Sequence, residues 1–351
     1  MIKTLYIGCY TIVGGRDRPP QKGGDGIYVY AYDTETGKAA LQNVCTDVVN
    51  PSFLAVKGNS LYACEEIRGG SAVASFAINE DGSLVKTGET VTEESGMCYV
   101  LIWPDGKTLT ACNFGSGSFV NMRINDDGSI GPVVQLTQHE GSGPARMQQT
   151  AHVHSANMYP GAKSFLVCDL GNDTLCTYAM DADTGTSTLI QTVNTEPGDG
   201  PRHSAFSPDG RFVTVCTQLS NVLLTYEVDG DRLGRCVSRV EMLPEEYTER
   251  SDAADVHYSP DGRYLYASNR GHNSIVVCTV NADGTLTDPR WFSSGGSSPR
   301  YFMIASPDRM IITNQRTGNF LTVCLNPETG TIGETLDEQN VPEACFAVFR
   351  K

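Results

Sequence analysis

The chain has 351 residues, of which 40% are hydrophobic and 19% charged, the ordinary balance of a globular protein. Its net charge of -15 argues against nucleic acid as a partner, because phosphate backbones bind basic surfaces. No apolar stretch reaches the length of a signal-peptide core or a membrane helix, so we expect a cytoplasmic protein that does not bind membranes.

Seven turns of one kind recur along the chain, each closed by a glycine. These glycines are Gly37, Gly82, Gly128, Gly185, Gly230, Gly284 and Gly330. Successive glycines lie about 45 to 57 residues apart, and β-branched residues are frequent between them. A repeat of this size with hairpin signals of this kind is typical of a β-propeller. We therefore predict an all-β, seven-bladed propeller that occupies residues 1–351 as a single domain; six or eight blades with one turn miscounted is the alternative.

The first predicted strand, residues 4–9, resembles the second strand of a later repeat, residues 60–65, and no first strand precedes it. The fifth repeat shows the complete unit. It contains a short strand, a Pro-Asp-Gly turn at 208–210, two alternating strands at 211–217 and 222–228, and an Asp-Gly turn into a fourth strand. Four antiparallel strands linked by hairpins form one blade, and no long segment keeps a helical period.

The end of the chain predicts how the ring closes. Residues 342–349 resemble a first strand, such as the one that begins at residue 299. We therefore expect the C-terminal strand to complete the blade that the N-terminal strand begins. This closure removes free sheet edges.

The twelve cysteines fall largely inside strand-like runs, as at Cys64, Cys112, Cys168 and Cys216. A chain of this length buries enough core without disulfides, and free cysteine acts there as a small apolar residue. No Cys-x-x-Cys pair occurs, so neither a zinc ribbon nor a thioredoxin-like site has support.

In such a blade, the start of the first strand and the end of the second lie side by side, so these positions from all blades meet at one mouth of the channel. The first-strand positions are Tyr99, His154, Arg202, His203, Asp255 and Arg300. The second-strand positions are Glu65, Glu66, Asn113, Asp169, Thr217, Gln218, Asn269, Arg270, Asn314 and Gln315. A polar ring that faces inward needs water or a ligand, which predicts an active site at this mouth.

Most of these residues also have a structural explanation: the asparagines could cap strand ends, and the histidines could be core residues. Arg202 and Arg270 are harder to explain, because two guanidiniums at one mouth repel unless an acid or an anionic ligand neutralises them. Glu66 or Asp255 could be that acid. We expect a small anionic substrate and no cofactor. His152 and His154 could bind a metal, but in a strand they point to opposite faces, so we predict no metal site.

The motifs on this ring resemble those of the seven-bladed propeller lactonases, a family that includes bacterial 6-phosphogluconolactonases and fungal carboxy-cis,cis-muconate lactonizing enzymes. The resemblance covers nearly the whole chain. It is carried by His-Val-His-Ser at 152–155, Gly-Pro-Arg-His at 200–203, Ala-Ala-Asp-Val-His-Tyr-Ser at 253–259 and Ala-Ser-Asn-Arg-Gly-His at 267–272.

The resemblance implies a site with one histidine, one glutamate and two arginines, which fall on His154, Arg202 and Arg270 for three of the four. The glutamate position holds Gln218, which cannot accept a proton. Where relatives commonly have histidine, this chain has Tyr99.

The resemblance implies a lactonase of carbohydrate metabolism that hydrolyses a sugar-acid lactone. The expected catalytic residues are His154, Arg202, Arg270, Glu66 and Gln218. The expected substrate-binding residues are His203, Asp255, Asn269, Tyr99 and Gln315. Two alternatives stay open: a lactone-forming cyclase or isomerase of the muconate type, and a binding propeller with a decayed site, which Gln218 and Tyr99 favour. The sequence leaves the exact substrate and the oligomeric state undetermined.

Overall fold

The computed structural model describes residues 1–14, 19–67, 70–161 and 163–350, and all its regular elements are β-strands. Seven four-stranded antiparallel sheets form the blades of a propeller, as the sequence predicts. No helix in the described ranges is long and apolar enough to cross a membrane.

The strands follow the chain in blade order, apart from one small hairpin. Blade 1 holds β1 (Ile2–Cys9), β4 (Ile27–Asp33) and β5 (Ala39–Cys45), with the hairpin β2 (Ile12–Val13) and β3 (Gln21–Lys22) inserted after β1. Blade 2 holds β6 (Pro51–Lys57), β7 (Ser60–Glu65), β8 (Ser71–Ile78) and β9 (Leu84–Thr92). Blade 3 holds β10 (Met97–Ile102), β11 (Thr108–Asn113), β12 (Ser118–Ile124) and β13 (Ile130–Gln138). Blade 4 holds β14 (Val153–Met158), β15 (Ser164–Asp169), β16 (Thr174–Asp181) and β17 (Thr186–Asn194). Blade 5 holds β18 (Pro201–Phe206), β19 (Phe212–Thr217), β20 (Val222–Asp229) and β21 (Arg232–Glu241). Blade 6 holds β22 (Asp252–Tyr258), β23 (Tyr264–Arg270), β24 (Ser274–Val280) and β25 (Leu286–Ser293). Blade 7 holds β26 (Pro299–Ser306), β27 (Arg309–Asn314), β28 (Asn319–Leu325) and β29 (Ile332–Asn340).

The final strand, β30 (Ala344–Phe349), pairs antiparallel with β1 and completes blade 1. Leu5 lies opposite Phe349, and Cys9 lies opposite Ala344. The predicted closure by the C-terminal strand is therefore confirmed.

Burial changes from the middle to the outside of each blade. The second strand β11 is buried at every position, because it packs against neighbouring blades on both faces. The outer strand β9 alternates half-buried and exposed residues, the period expected for a sheet with one wet face. The apolar core consequently lies between adjacent blades; Tyr62 and Cys64 of blade 2, for example, pack with Val100 and Leu109 of blade 3.

All twelve cysteines are free thiols, and ten of them are buried. Cys64 and Cys112 are fully buried within second strands, where a small apolar side chain lets adjacent blades approach closely. This agrees with the expectation of free thiols.

Candidate active site at one mouth of the channel

Every first strand carries a β-bulge near its start. At this bulge the first strand has one residue more than the second strand that pairs with it. β-bulges redirect side chains and are frequent beside active sites. The bulge ring is the set made of the residue that the pairing skips in each first strand, or of the first of two skipped residues in β6 and β22. The bulge ring consists of Ser52, Cys98, His154, Arg202, Ala254, Arg300 and Cys345.

A second ring lies beside it, formed by one residue at the end of each second strand. In six blades this is the residue after the last paired position, and in β23 it is the last paired residue itself, Arg270. This rim ring consists of Tyr10, Glu66, Phe114, Leu170, Gln218, Arg270 and Gln315. The residue just before each of these is buried within the blades. Asn269, for example, is fully buried and donates to the Met242 carbonyl at 2.8 Å, so the structure does not bring its side chain to the mouth.

The residues just before the rim ring in other blades are likewise buried within the blades and do not face the mouth. Asn113 donates to Ser118 Oγ at 3.1 Å, and Asn314 donates to the Ser294 carbonyl at 2.9 Å. Asp169 accepts the backbone N–H of His152 at 2.7 Å and contacts the imidazole of His139 at 2.8 Å. These contacts hold strand ends together, which is the structural explanation left open for these residues.

Three guanidiniums meet at this mouth. Arg202 is 2% exposed and donates through Nη1 to the Ala254 carbonyl. Arg270 donates through Nη2 to the Ala253 carbonyl at 3.1 Å, and Arg300 donates through Nη2 to Tyr10 Oη at 2.8 Å. None of the ion pairs found among the described residues involves any of the three.

The proximity of these charges is evident in their pKa values. Burial, followed by the charges of Arg202 and Arg300, lowers the pKa of Arg270 well below its usual value. Burial and the charge of Arg300 lower the pKa of Arg202 to about 10. Guanidiniums keep their charge at neutral pH in proteins. The mouth therefore concentrates positive charge on an otherwise acidic protein.

Glu66 is the carboxylate nearest to this cluster in the hydrogen-bond network. Its Oε1 accepts from Tyr10 Oη at 2.8 Å and from Ser52 Oγ at 3.0 Å. Burial raises its pKa, against the opposing effect of the Arg300 charge. Tyr10 thus bridges Glu66 and Arg300, whose guanidinium also lies 5.2 Å from the centre of the Tyr10 ring.

Sequence reasoning missed Tyr10 and gave Arg300 no role, although both had a signal. Tyr10 follows the strand residues 4–9 as Glu66 follows residues 60–65. Arg300 stands in the same Pro-Arg pair as Arg202. Applying the repeat alignment to every blade would have found both.

The two histidines of the first strands lie one behind the other. The His154 ring is 5.5 Å from the Phe114 ring on the rim side and 5.2 Å from the His203 ring on the inner side. Burial, then the charge of Arg202, lowers the pKa of His154 well below its usual value, so its imidazole is neutral near pH 7. The His152 side chain lies against the backbone instead, with its Nδ1 2.6 Å from the carbonyl oxygen of Phe114.

Behind the bulge ring, four aromatic side chains close the channel. The centroids of Tyr99, Phe53, Phe346 and Tyr301 follow one another at 4.0, 3.9 and 4.1 Å. We call this layer the aromatic plug. Tyr99, predicted to bind substrate at the mouth, lies in it. On the mouth side a cavity of about 10 Å³ remains between residues that include Arg202, Arg300 and Cys98.

Gln218 and Gln315 belong to the rim ring but differ in their contacts. Gln218 is 7% exposed, and its side chain has no hydrogen bond to the described part of the chain. Gln315 donates to Glu343 Oε2 at 2.9 Å, which ties it to the loop before β30. No cluster of three or more histidine, cysteine or acidic side chains with metal-binding geometry occurs within the described residues.

Asp255 lies on the inner side of the plug region and contacts two imidazoles. Its Oδ1 is 2.8 Å from His203 Nδ1, and its Oδ2 is 2.8 Å from His257 Nε2. With both oxygens occupied and only 3% exposed, its carboxylate supports the histidines rather than presenting itself to a substrate.

The chain matches, over residues 4–349, the family described as "Lactonase, 7-bladed beta-propeller". It is 30% identical to a 6-phosphogluconolactonase of Bacillus subtilis over 351 residues, covering 98% of this chain and 97% of that one. Among solved structures it resembles a periplasmic gluconolactonase of Pseudomonas aeruginosa (TM-score 0.91, 27% identity, 100% and 99% of the two chains). It also resembles a protein from Lactobacillus plantarum (TM-score 0.92, 27% identity, all of both chains).

Proposed function

The chain belongs to the family of seven-bladed β-propeller lactonases, and on this premise we propose that it hydrolyses a sugar-acid lactone bearing an anionic group. One observation carries the proposal: three buried or half-buried guanidiniums share a mouth with no carboxylate partner in the part of the chain described here. Uncompensated buried charge is costly, so its presence favours an anionic ligand. The favoured substrate is a 6-phosphogluconolactone, the class named for a relative.

Arginine suits both tasks that such a reaction requires. A guanidinium binds a phosphate or carboxylate with two parallel hydrogen bonds. The same group stabilises the oxyanion that develops when water adds to the lactone carbonyl. We assign Arg270 and Arg300 to the substrate's anionic group, because they lie at the rim and beside it. Arg202, the most buried of the three, is assigned to the oxyanion.

His154 is the proposed general base. Its low pKa keeps it neutral and able to accept a proton from water, while the water oxygen bonds to the lactone carbonyl carbon. The ring carbon–oxygen bond then breaks, and the proton on His154 passes to the departing ring oxygen. The product acid ionises in water, so each turnover releases one proton.

Glu66 and Gln218 take supporting roles in this proposal. The raised pKa of Glu66 makes it a carboxyl that can exchange a proton through Tyr10 near the leaving oxygen. Gln218, with a free amide, can donate to the substrate or to the attacking water. Neither residue restores the glutamate that the family's site has at the position of Gln218.

The proposal is tested with three compounds. Proton release is followed for 6-phosphoglucono-1,5-lactone and glucono-1,5-lactone, and proton uptake, which lactone formation requires, is followed for a carboxymuconate. Spontaneous hydrolysis is subtracted. We expect the phosphorylated lactone to be hydrolysed with the highest kcat/KM, and His154→Ala to lower turnover by about a hundredfold or more with little change in Tm. Equal rates for both lactones would contradict anion recognition by the arginines.

The same screen separates the alternatives. Turnover of the muconate with no lactone hydrolysis would indicate a lactone-forming enzyme, in which protonated Glu66 is the donor. No acceleration of any compound would indicate a binding propeller. A cytoplasmic location, a role in carbohydrate metabolism and one domain over 1–351 stay predictions beside this proposal.

A further inference from the structure

A carboxylate bridges two histidines near the centre of the channel. Asp255 is 3% exposed and accepts one hydrogen bond on each oxygen, from His203 on β18 and from His257 on its own strand β22. Asp255 and His257 are two residues apart, so both point to the same face of the strand, toward the channel. The three side chains form one continuous hydrogen-bonded unit.

This unit reaches from one side of the aromatic plug to the other. His203 lies 5.2 Å from His154, ring to ring, behind the arginine-lined mouth. His257, whose side chain is 33% exposed, lines a cavity of about 510 Å³ on the opposite face, and His203 and Asp255 form part of the same lining. Two Pro-Asp-Gly turns border that cavity, through Pro208 and Pro260. We call it the turn-face pocket.

We propose that Asp255 couples the turn-face pocket to the mouth, so that an imidazolium at His257 keeps His203 neutral down to lower pH than it would otherwise be. When His257 is an imidazolium, its charge neutralises Asp255, and His203 stays neutral with its proton on Nδ1. When that charge is removed, the whole carboxylate charge acts on His203 and favours its protonation. His257 is therefore a positioning residue that acts on the mouth from the other side of the plug.

The surroundings of both imidazoles agree with this coupling. His203 faces Arg202, His154 and the rings of Tyr99 and Phe53. His257 faces the rings of Tyr301 and Phe302, and no lysine or arginine of the described chain contacts it.

The pKa values have the directions that the coupling requires. Burial, then Arg202, lowers the pKa of His203 to about 4, with His257 adding to this effect. The pKa of His257 is raised, since Asp255 outweighs the effect of burial.

The buried Nε2 of His203 supplies a second, independent observation. This atom has no hydrogen-bond partner among the described residues and lies in the layer behind His154 and Arg202. With the proton held on Nδ1 by Asp255, Nε2 carries a lone pair that no donor of the described chain meets. Such an atom is costly to leave unpaired, and its protonation next to Arg202 is costlier still. The charge on Asp255 decides between these two states.

The test is histidine-selective ¹⁵N NMR on the full chain, followed as a function of pH, and it requires no lactone. In the wild type we expect His203 to carry its proton on Nδ1 and His257 to stay doubly protonated to higher pH than free histidine. In His257→Gln, whose amide can still donate to Asp255, we expect the His203 midpoint to rise by about one pH unit. His272→Gln removes an imidazole that hydrogen-bonds to Ser274 and packs on Tyr247, and it should leave the His203 midpoint unchanged.

Three results would overturn the proposal. They are a proton on Nε2 of His203 in the wild type, a His203 midpoint that does not move in His257→Gln, and an equal shift in His272→Gln. Asp255→Asn provides a further check, because adding His257→Gln to it should then produce no further change. The wild-type tautomer is informative even if a variant fails to fold.

Discussion

In the proposed function, Arg202 contributes to ligand binding at a cost to the stability of the free protein. Its guanidinium is 2% exposed, its Nε has no hydrogen-bond partner among the described residues, and Arg300 adds to the repulsion. A buried charge without a counterion destabilises a fold, whereas a well-packed apolar side chain of similar volume often does not. The residue is therefore better explained by a ligand than by packing.

We predict that Arg202→Met leaves the free energy of unfolding unchanged or raises it, while kcat/KM falls by about a hundredfold or more. Urea denaturation in a buffer without phosphate or sulfate measures the stability, and lactone hydrolysis measures the activity. Added phosphate should stabilise the wild type and have a much smaller effect on the variant.

Arg239 offers the matched control. It binds both oxygens of Asp199, a buried carboxylate, at 2.9 and 3.0 Å. Arg239→Met leaves that carboxylate unpaired, so we expect a loss of about 3 kcal/mol of stability and little change in kcat/KM. If Arg202→Met costs as much stability as Arg239→Met, the guanidinium of Arg202 is structural.

In the proposed mechanism, the pH dependence of hydrolysis follows from the protonation state of His154. A general base acts only when deprotonated, and burial together with Arg202 lowers the pKa of His154. We therefore predict that kcat/KM stays level from about pH 7.5 down through the ordinary histidine range near pH 6.5, and falls only below it. Arg300→Gln removes one of the positive charges that lower this pKa, so the acid limb should move to higher pH. An acid limb near pH 6.5 in both proteins would exclude His154 as the base.

The repeat alignment predicted which residues approach the mouth, but not which of two neighbours points into it. It placed His154 and Arg202 at the start of first strands and Arg270 at the end of a second strand, and the structure brings all three to one mouth. It could not separate Asn269 from Arg270, because adjacent residues at a strand end face opposite ways and the local bulge decides between them. The amino-acid sequence of a single strand contains no pattern that predicts this bulge.

At the scale of the element, the connection into β18 fixes two residues of the mouth. The Gly200 N–H donates to Asp173 Oδ1 at 2.7 Å, and the Gly200 carbonyl accepts from the Gln218 N–H at 2.7 Å. Gly200 has φ = 64°, a conformation that favours glycine. A Cβ there would lie 2.6 Å from Leu219 Cγ.

We predict that Gly200→Ala destabilises the protein by about 2 kcal/mol and also lowers kcat/KM, because relief of the contact must displace Arg202 or Gln218. Gly230→Ala is the control, since Gly230 has φ = 60° but nothing within 4 Å of an added Cβ. Its loss should be only about 1 kcal/mol, with full activity. Equal effects of the two substitutions would show that backbone strain alone, and not the contact, is responsible.

At the scale of the whole molecule, the fold was more predictable than the site. Seven spaced turns and an incomplete first blade sufficed to predict both the blade number and the closing strand. Tyr10 escaped because its blade is split between the two ends of the chain and carries an inserted hairpin, so no complete repeat surrounds it. The aromatic plug escaped for a different reason: its members come from four blades, and only the closed ring brings them together.

Ring closure makes the strongest prediction about the whole molecule. A chain ending at Glu343 lacks β30, so β1 loses a partner over its length and the plug loses Phe346. We expect this truncated chain to show no cooperative thermal unfolding by circular dichroism, because an open ring exposes one blade interface on each side.

A permuted chain separates loss of closure from simple damage. Phe349 lies opposite Leu5, and the Arg350 N–H donates to the Thr4 carbonyl at 2.9 Å, so a short loop can join the end of β30 to the start of β1. Residues 342–350 placed before Met1 with a short glycine-rich linker should restore cooperative unfolding and activity, since blade 1 then has the strand order of the other six. If the truncated chain unfolds cooperatively by itself, or the permuted chain does not, the closing strand is not what holds the ring.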